Sequence, residues 1–373
     1  MNGIGYRLAR RAAAVAAAVV LVTPLAPTAA TAPVQSSVDF GKYPHGMTTS
    51  ADGSKVYAAV QDYGQGYGNP AVAVVSAATR QFIKWIVLPA GSNARYLVAG
   101  PTGNRIYALV SGGVVLIDTV TDSVSAYVPF PAQPLPFPNW MPGEVTDLAV
   151  SPDGATLYFT QYGPSTFRQS RPGRVLVFSA ATQTFTGVVG LDSAPGNTFA
   201  VQRVAVSPNG NDVYVVTGGP PVHLDARTNP PSIRGAVTIP GPFGSDSNAL
   251  VVSRDGTRLY VGAFQDGNVY VVDTATDRTT ATITVQPGYD SLVQVIVGHS
   301  AGRLYVAEFY NNGAPRVAVV DTNTNLVSGW ITPTGVVDIW SIALSPDDRT
   351  LYALDEVSWA TNAARLDILD NIA

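Results

Sequence analysis

Residues 250–264 read "LVVSRDGTRLYVGAF" and residues 295–309 read "VIVGHSAGRLYVAEF"; the two align without gaps at an offset of 45. The second contains Gly298-His299-Ser300-Ala301-Gly302, which matches the G-x-S-x-G pattern of a hydrolase nucleophile elbow. The alignment decides between an elbow and a hairpin turn. Related stretches occur at "MTTSADGSKVYAAV" (47–60), "LVAGPTGNRIYALV" (97–110), "LAVSPDGATLYFTQ" (148–161), "VAVSPNGNDVYVVT" (204–217) and "IALSPDDRTLYALD" (342–355). Ser300 falls where the other copies carry Asp52, Asp153, Asp255, Asp347 or Asn209 at a turn. An elbow needs a helix after its serine, whereas "RLYVAEF" predicts a strand. The histidines are His45, His223 and His299, so none follows Ser300 to complete a triad. Ser300 is therefore read as a turn residue.

Tyr57, Tyr107, Tyr158, Tyr214, Tyr260, Tyr305 and Tyr352 mark seven copies, 45 to 56 residues apart. Each copy has a second half, clearest in "VVLIDTVTDSVSAYV" (114–128), "VYVVDTATDRTTATITV" (269–285) and "VAVVDTNTNLVSGWI" (317–331). One unit is strand, Ser-Pro-Asp-Gly turn, strand, variable loop, strand, Asp-Thr-x-Thr turn, strand. Proline presets φ, aspartate accepts from the backbone ahead of it, and glycine takes positive φ. Asp118, Asp273 and Asp321 are expected to brace their own turns. Self-similarity at this period predicts an all-β, seven-bladed β-propeller with four antiparallel strands per blade. The last copy stops after its third strand, and "SSVDFGKYP" (36–44) precedes the first, so the N-terminal strand is expected to close the last blade.

Composition agrees with this reading. The 373 residues include 35 glycines, 28 prolines and no cysteine, and 13% are charged. That favours short strands and tight turns without disulfides. A net charge of −4 gives no reason to expect nucleic acid as a partner. Arg7, Arg10 and Arg11 precede an apolar run from Ala12 to Val22, which is too short to span a bilayer, and small residues follow. Residues 1–32 are expected to be a secretory signal peptide and 33–373 one propeller domain. The mature protein would then be secreted or at the cell surface, with no membrane span.

The tight turns share one face, so the variable loops share the other, where function is sought. Twelve residues before the tyrosines stand His45, Arg95, Thr146, Gln202, Asn248, Val293 and Trp340, expected to ring the mouth of a central channel. Glu144, Asp147, Arg203, Asp290 and Asp338 adjoin them, and Glu308, Asp355 and Glu356 map to the same face. The binding candidates are His45, Arg95, Glu144, Arg203, Asn248, Glu308, Trp340, Asp355 and Glu356; no catalytic residue stands out. Such a ring suits an anionic ligand, or a divalent cation, calcium or magnesium, held by oxygen ligands. "PFPAQPLPFPNWMPGE" (129–144), with six prolines, Phe130, Phe137 and Trp140, reads as a stiff strap and a partial lid over that face. Tyr63, Tyr67, Tyr162, Phe167, Tyr310 and Trp359 add exposed aromatic candidates. His223 reads as structural.

The tandem Ser-Pro-Asp-Gly, Tyr-Val-x-x and Val-x-Val-Asp-Thr-x-Thr elements resemble the YVTN-type bacterial β-propeller repeats, with Tyr214-Val215-Val216-Thr217 nearest the tetrapeptide. The likeness covers residues 36–373, with Gly-His-Ser-Ala in the sixth copy and Asp347-Asp348 in the seventh departing from it. It implies the fold and an exported, surface-layer-like protein; it transfers no active-site residue. Similar propellers include 6-phosphogluconolactonase-like lactonases and the propeller of nitrous oxide reductase, whose copper needs more histidines than three. Two functions are expected: an exported binding or scaffold protein engaging a small molecule, glycan or protein through its variable face, or a metal-dependent hydrolase of lactonase type at the channel mouth.

Overall fold

The computed structural model describes residues 33–62, 69–89, 92–196, 198–240, 249–262, 267–285, 292–300, 302–308 and 314–372. Among them there are 27 strands and no helix, hence no helix long and apolar enough to cross a membrane. The strands form five four-stranded antiparallel sheets and one seven-stranded sheet. The four-stranded sheets are the second to sixth repeats. Their innermost strands are Tyr96–Ala99, Val145–Val150, Arg203–Val206, Ala249–Val252 and Leu292–Val297.

The seven-stranded sheet joins the seventh repeat to the first through one strand, Val34–Thr49. Its first half pairs with Ala363–Asp370, from Val34 opposite Asp370 to Lys42 opposite Ala363. Its second half pairs with Lys55–Asp62, from Pro44 opposite Val60 to Thr49 opposite Val56. The register breaks between Asp39 and Lys42 and between Pro44 and Met47. Gly41, at φ 56°, supplies the conformation this bend needs, and a Cβ there would fall 2.8 Å from the Asp62 carbonyl oxygen. The expected closing strand is thus continuous with the first repeat's innermost strand. The innermost strands lie against one another in chain order, and the seventh repeat's, Asp338–Leu344, lies against Val34–Thr49.

The repeat residues do what their chemistry dictates. All seven marker tyrosines are buried, none more than 4% exposed, in clusters that join neighbouring sheets. Phe159, Phe178 and Phe185 pack edge-on with centroids 5.2 to 6.2 Å apart between the second and third repeats. In the Ser-Pro-Asp-Gly turns, the Asp153 carboxylate accepts from the Ala155 N–H at 2.9 Å and Asp255 from the Thr257 N–H at 3.0 Å. Asp118, Asp273 and Asp321 brace their turns through the N–H groups of Thr121, Thr276 and Asn323 at 2.8 to 2.9 Å. These hydrogen bonds favour the carboxylates of Asp153, Asp255, Asp118 and Asp273 and hold them below the usual range.

His223 is structural, as its sequence context suggests. Its fully buried ring lies between Asp212, 3.0 Å from Nε2, and Asp277 of the next repeat, 2.8 Å from Nδ1, and stacks on Tyr214 at 4.4 Å. Burial opposes its charge, but the two carboxylates outweigh it and raise its pKa. Ser300 is followed by the strand Arg303–Glu308, not a helix, and its N–H donates to Asp348 of the seventh repeat.

Candidate functional site

The innermost strands of all seven repeats line one cavity of about 180 Å³. His45, Tyr96, Asp147, Arg203, Gln294, Trp340 and Ser341 are its polar and aromatic residues. At about 30 Å³ per water it holds some six waters, and it is smaller than the ~300 Å³ and upward typical of organic-ligand pockets. It suits an ion or a small molecule of a few heavy atoms.

Arg203 is the charged centre. Its Nη1 is 3.9 Å from Asp147 Oδ1, a loose ion pair, and its guanidinium carbon lies 4.6 Å from the centroid of the Tyr96 ring. Burial works against its charge, but Tyr96 and Asp147 outweigh that and raise its pKa. Asp147 Oδ2 accepts from the Val204 N–H at 2.9 Å. Burial nevertheless pushes Asp147 up to about 6, against the pull of Arg203 and that N–H. Burial also lowers His45, and repulsion from Arg95 adds to it, so His45 is neutral at pH 7. His45 meets Trp340 edge-on at 5.8 Å. Trp340 Nε1 donates to Glu356 Oε2 at 3.2 Å, and Gln294 Oε1 accepts from the Ile342 N–H at 2.8 Å, which fixes both side chains at the wall.

The candidate residues separate into three groups. His45, Arg203 and Trp340 come together in the cavity. Arg95 and Glu144 pair with each other at 2.7 Å, both substantially exposed and bordering a second cavity of about 170 Å³. Glu308, Asp355 and Glu356 turn into the sheets. Glu308 pairs with Arg316 at 2.9 Å, and Arg316 covers the Trp330 ring at 3.5 Å. Asp355 is fully buried beside Asp367, whose carboxylate accepts from Arg365 at 2.7 Å and Gln35 at 2.9 Å. Burial and the neighbouring Asp367 charge push Asp355 far above the usual carboxylate range. Glu308, Asp355 and Glu356, expected among the binding candidates on the loop face, are thus corrected to the packed interior. Their strands are covered on both faces, so residues 304–308 and 351–356 are buried without alternation. Asn248, Asp290, Tyr63, Tyr67 and Tyr310 lie outside the described residues.

The count of twelve residues back from the tyrosines runs one too long in the second to sixth repeats. Tyr96, Asp147, Arg203, Ala249 and Gln294 line the cavity, each eleven residues before its tyrosine. In the first and seventh repeats the eleventh residues, Gly46 and Ser341, line the cavity as well, and the neighbouring His45 and Trp340 reach it too. Tyr96 and Gln294 escaped the sequence reading, although the fixed nine-residue pairing of each tyrosine with its innermost strand marks their level. Among the described residues, no three of His, Asp and Glu converge as a cluster that could hold a metal ion.

The strap at 129–144 is tied down rather than poised. Gln133 donates to the Tyr162 carbonyl at 2.9 Å and accepts from the Gly143 N–H at 2.6 Å, and Met141 and Ser165 exchange backbone bonds. Trp140 is buried under Arg171, while Phe137, Phe167 and Trp359 are exposed.

No protein-family model matches the chain. Over 128 residues, 34% of its length, the chain is 32% identical to the seven-bladed beta-propeller protein Rv1057 of Mycobacterium tuberculosis, and the match spans 30% of that relative. The chain is thus an all-β protein of repeated antiparallel sheets with local similarity to a β-propeller protein.

Proposed function

We propose that this chain is an exported seven-bladed propeller of the YVTN-like kind, and that it binds a small carboxylate-bearing molecule at the mouth of its central channel. Three observations support the ring: the strand Val34–Thr49 shared by the first and last repeats, the order of the innermost strands, and the character of the mycobacterial relative. The leader-like residues 1–32 motivate export. The observation that carries the ligand is Arg203, a cation held over the Tyr96 ring in the wall of a small cavity that Trp340 and His45 also line. A ligand carboxylate would take a bidentate bond from Arg203 and lie against Trp340 and neutral His45. Asp147 competes for Arg203 when ionised, so binding should strengthen as pH falls through about 6. The metal-dependent lactonase reading lacks a cluster of three His, Asp or Glu among the described residues.

Calorimetry of the purified chain with acetate, lactate and glycerol tests this. We expect the two acids to bind, glycerol not to, and Arg203→Gln to weaken the acids about tenfold or more. Equal binding of acids and glycerol, or an unaffected Arg203→Gln, would overturn it.

A further inference from the structure

The tight-turn face is built from a repeated contact. The turn proline of one repeat covers the turn glycine of the next: Pro101 over Gly154, Pro152 over Gly210, Pro208 over Gly256, and Pro346 over Gly53. Space for a side chain is small there; a Cβ on Gly53 would fall 2.5 Å from Pro346 Cγ, and at Gly154, Gly210 and Gly256 a proline carbon would lie 3.6 Å away. Three repeats lack the proline: the first has Ala51 there, the fifth Arg254, and the sixth His299 with Ser300 in place of the aspartate. The fifth and sixth adjoin, and their replacements are basic.

At that junction a cleft of about 400 Å³ opens, bordered by Arg254, Arg258, Arg303 and His299. Arg254 Nε donates to the Gly298 carbonyl at 2.7 Å, Arg258 Nη1 to the Thr322 carbonyl, and Arg303 Nη1 to the Ile372 carbonyl at 3.3 Å. Each guanidinium is therefore pinned by a backbone oxygen. Among the described residues, none of the three has a carboxylate within 4.0 Å. The one acidic residue in the wall, Asp255, is engaged by its own turn through Ser253 and Thr257. Asp348 holds the sixth repeat's turn in place, accepting the N–H groups of His299 and Ser300 and lying 2.9 Å from His299 Nδ1.

Three fixed guanidinium groups around one cleft repel one another unless an anion sits among them. This is the more telling in a chain of net charge −4. We propose that the cleft between the fifth and sixth repeats binds a tetrahedral oxyanion, a phosphate or sulfate group, either free or carried as an ester. The planar forks match such an oxyanion through paired N–H donors. The site is on the opposite face from the channel mouth and does not depend on the carboxylate reading.

The test is calorimetry of the full chain at constant ionic strength in chloride. The probes are inorganic phosphate, inorganic sulfate and glycerol 3-phosphate. We expect saturable binding of at least one of them. Arg254→Pro, which supplies the residue of four other repeats, should weaken binding about tenfold or more, and Trp340→Ala in the channel mouth should not change it. Should Arg254→Pro lose the wild-type circular dichroism spectrum, Arg254→Gln carries the same expectation. Phosphate binding as tightly as its ester identifies the free ion as the ligand, and an ester at least tenfold tighter identifies a phosphorylated organic molecule. No saturable binding by any probe, or wild-type affinity in a folded Arg254 variant, would overturn the proposal.

Discussion

Two arginine–carboxylate pairs in this molecule behave as opposites. At the channel mouth, Arg203 and Asp147 are 3.9 Å apart and face a cavity that can admit water or a solute. In the seventh repeat, Arg365 and Asp367 are in contact at 2.7 Å, with Asp355 alongside and the Asp367 side chain wholly excluded from solvent. The cavity pair is loose, and its acid is perturbed by burial. The interior pair uses its arginine to keep two neighbouring carboxyl groups tolerable. Proximity of opposite charges therefore does not mark a binding site; access and slack geometry do.

The largest expected effect comes from the interior pair. Arg365→Met leaves the Asp355–Asp367 group without its cation and should cost about 3–5 kcal/mol in urea denaturation at pH 7. A loss below about 1 kcal/mol would erase the distinction drawn here.

Next comes the acid at the mouth. Asp147 has a folded-state pKa of about 6, above the ordinary 3.8, so the folded chain binds the extra proton. Its contribution to stability is fully present below about pH 4 and is lost as pH rises through about 6. That interval corresponds to about 3 kcal/mol. Stability of Asp147→Asn relative to wild type should therefore improve by up to that amount between pH 4 and pH 7. Parallel pH profiles for the two proteins would show that the mouth does not strain this acid.

The smallest effect belongs to the exposed rim pair. Arg95→Ala should change unfolding stability by about 1 kcal/mol or less, because water and salt screen its bond to Glu144. A larger loss would make the rim part of the packed structure.

The architecture was legible because it rests on local chemistry repeated many times. Ser-Pro-Asp-Gly and Asp-Thr-x-Thr fix their own turns, the tyrosines fill the space between sheets, and both signals survive the lapses at Ser300 and Asp348. The site was legible in part. Arg203, His45 and Trp340 could be placed by counting from the tyrosines, to within one residue. Glu308, Asp355 and Glu356 could not, since both faces of their strands are covered and a polar residue near the strand end is buried whichever way it points. The Arg254 cleft was hidden for another reason. Its arginines come from one turn and two strand starts, and each alone reads as an ordinary surface residue.

The strand Val34–Thr49 has a consequence for how the molecule comes apart. Because it is both the outer edge of the last sheet and the inner edge of the first, those two repeats share a backbone and cannot melt separately. Proteolytic trimming as far as Gly41 would strip the last sheet of its fourth strand and lay bare the hydrogen-bonding groups of Ala363–Asp370, an adhesive edge open to any extended peptide. A few residues near residue 34 thus govern whether the strand Ala363–Asp370 has its edge covered.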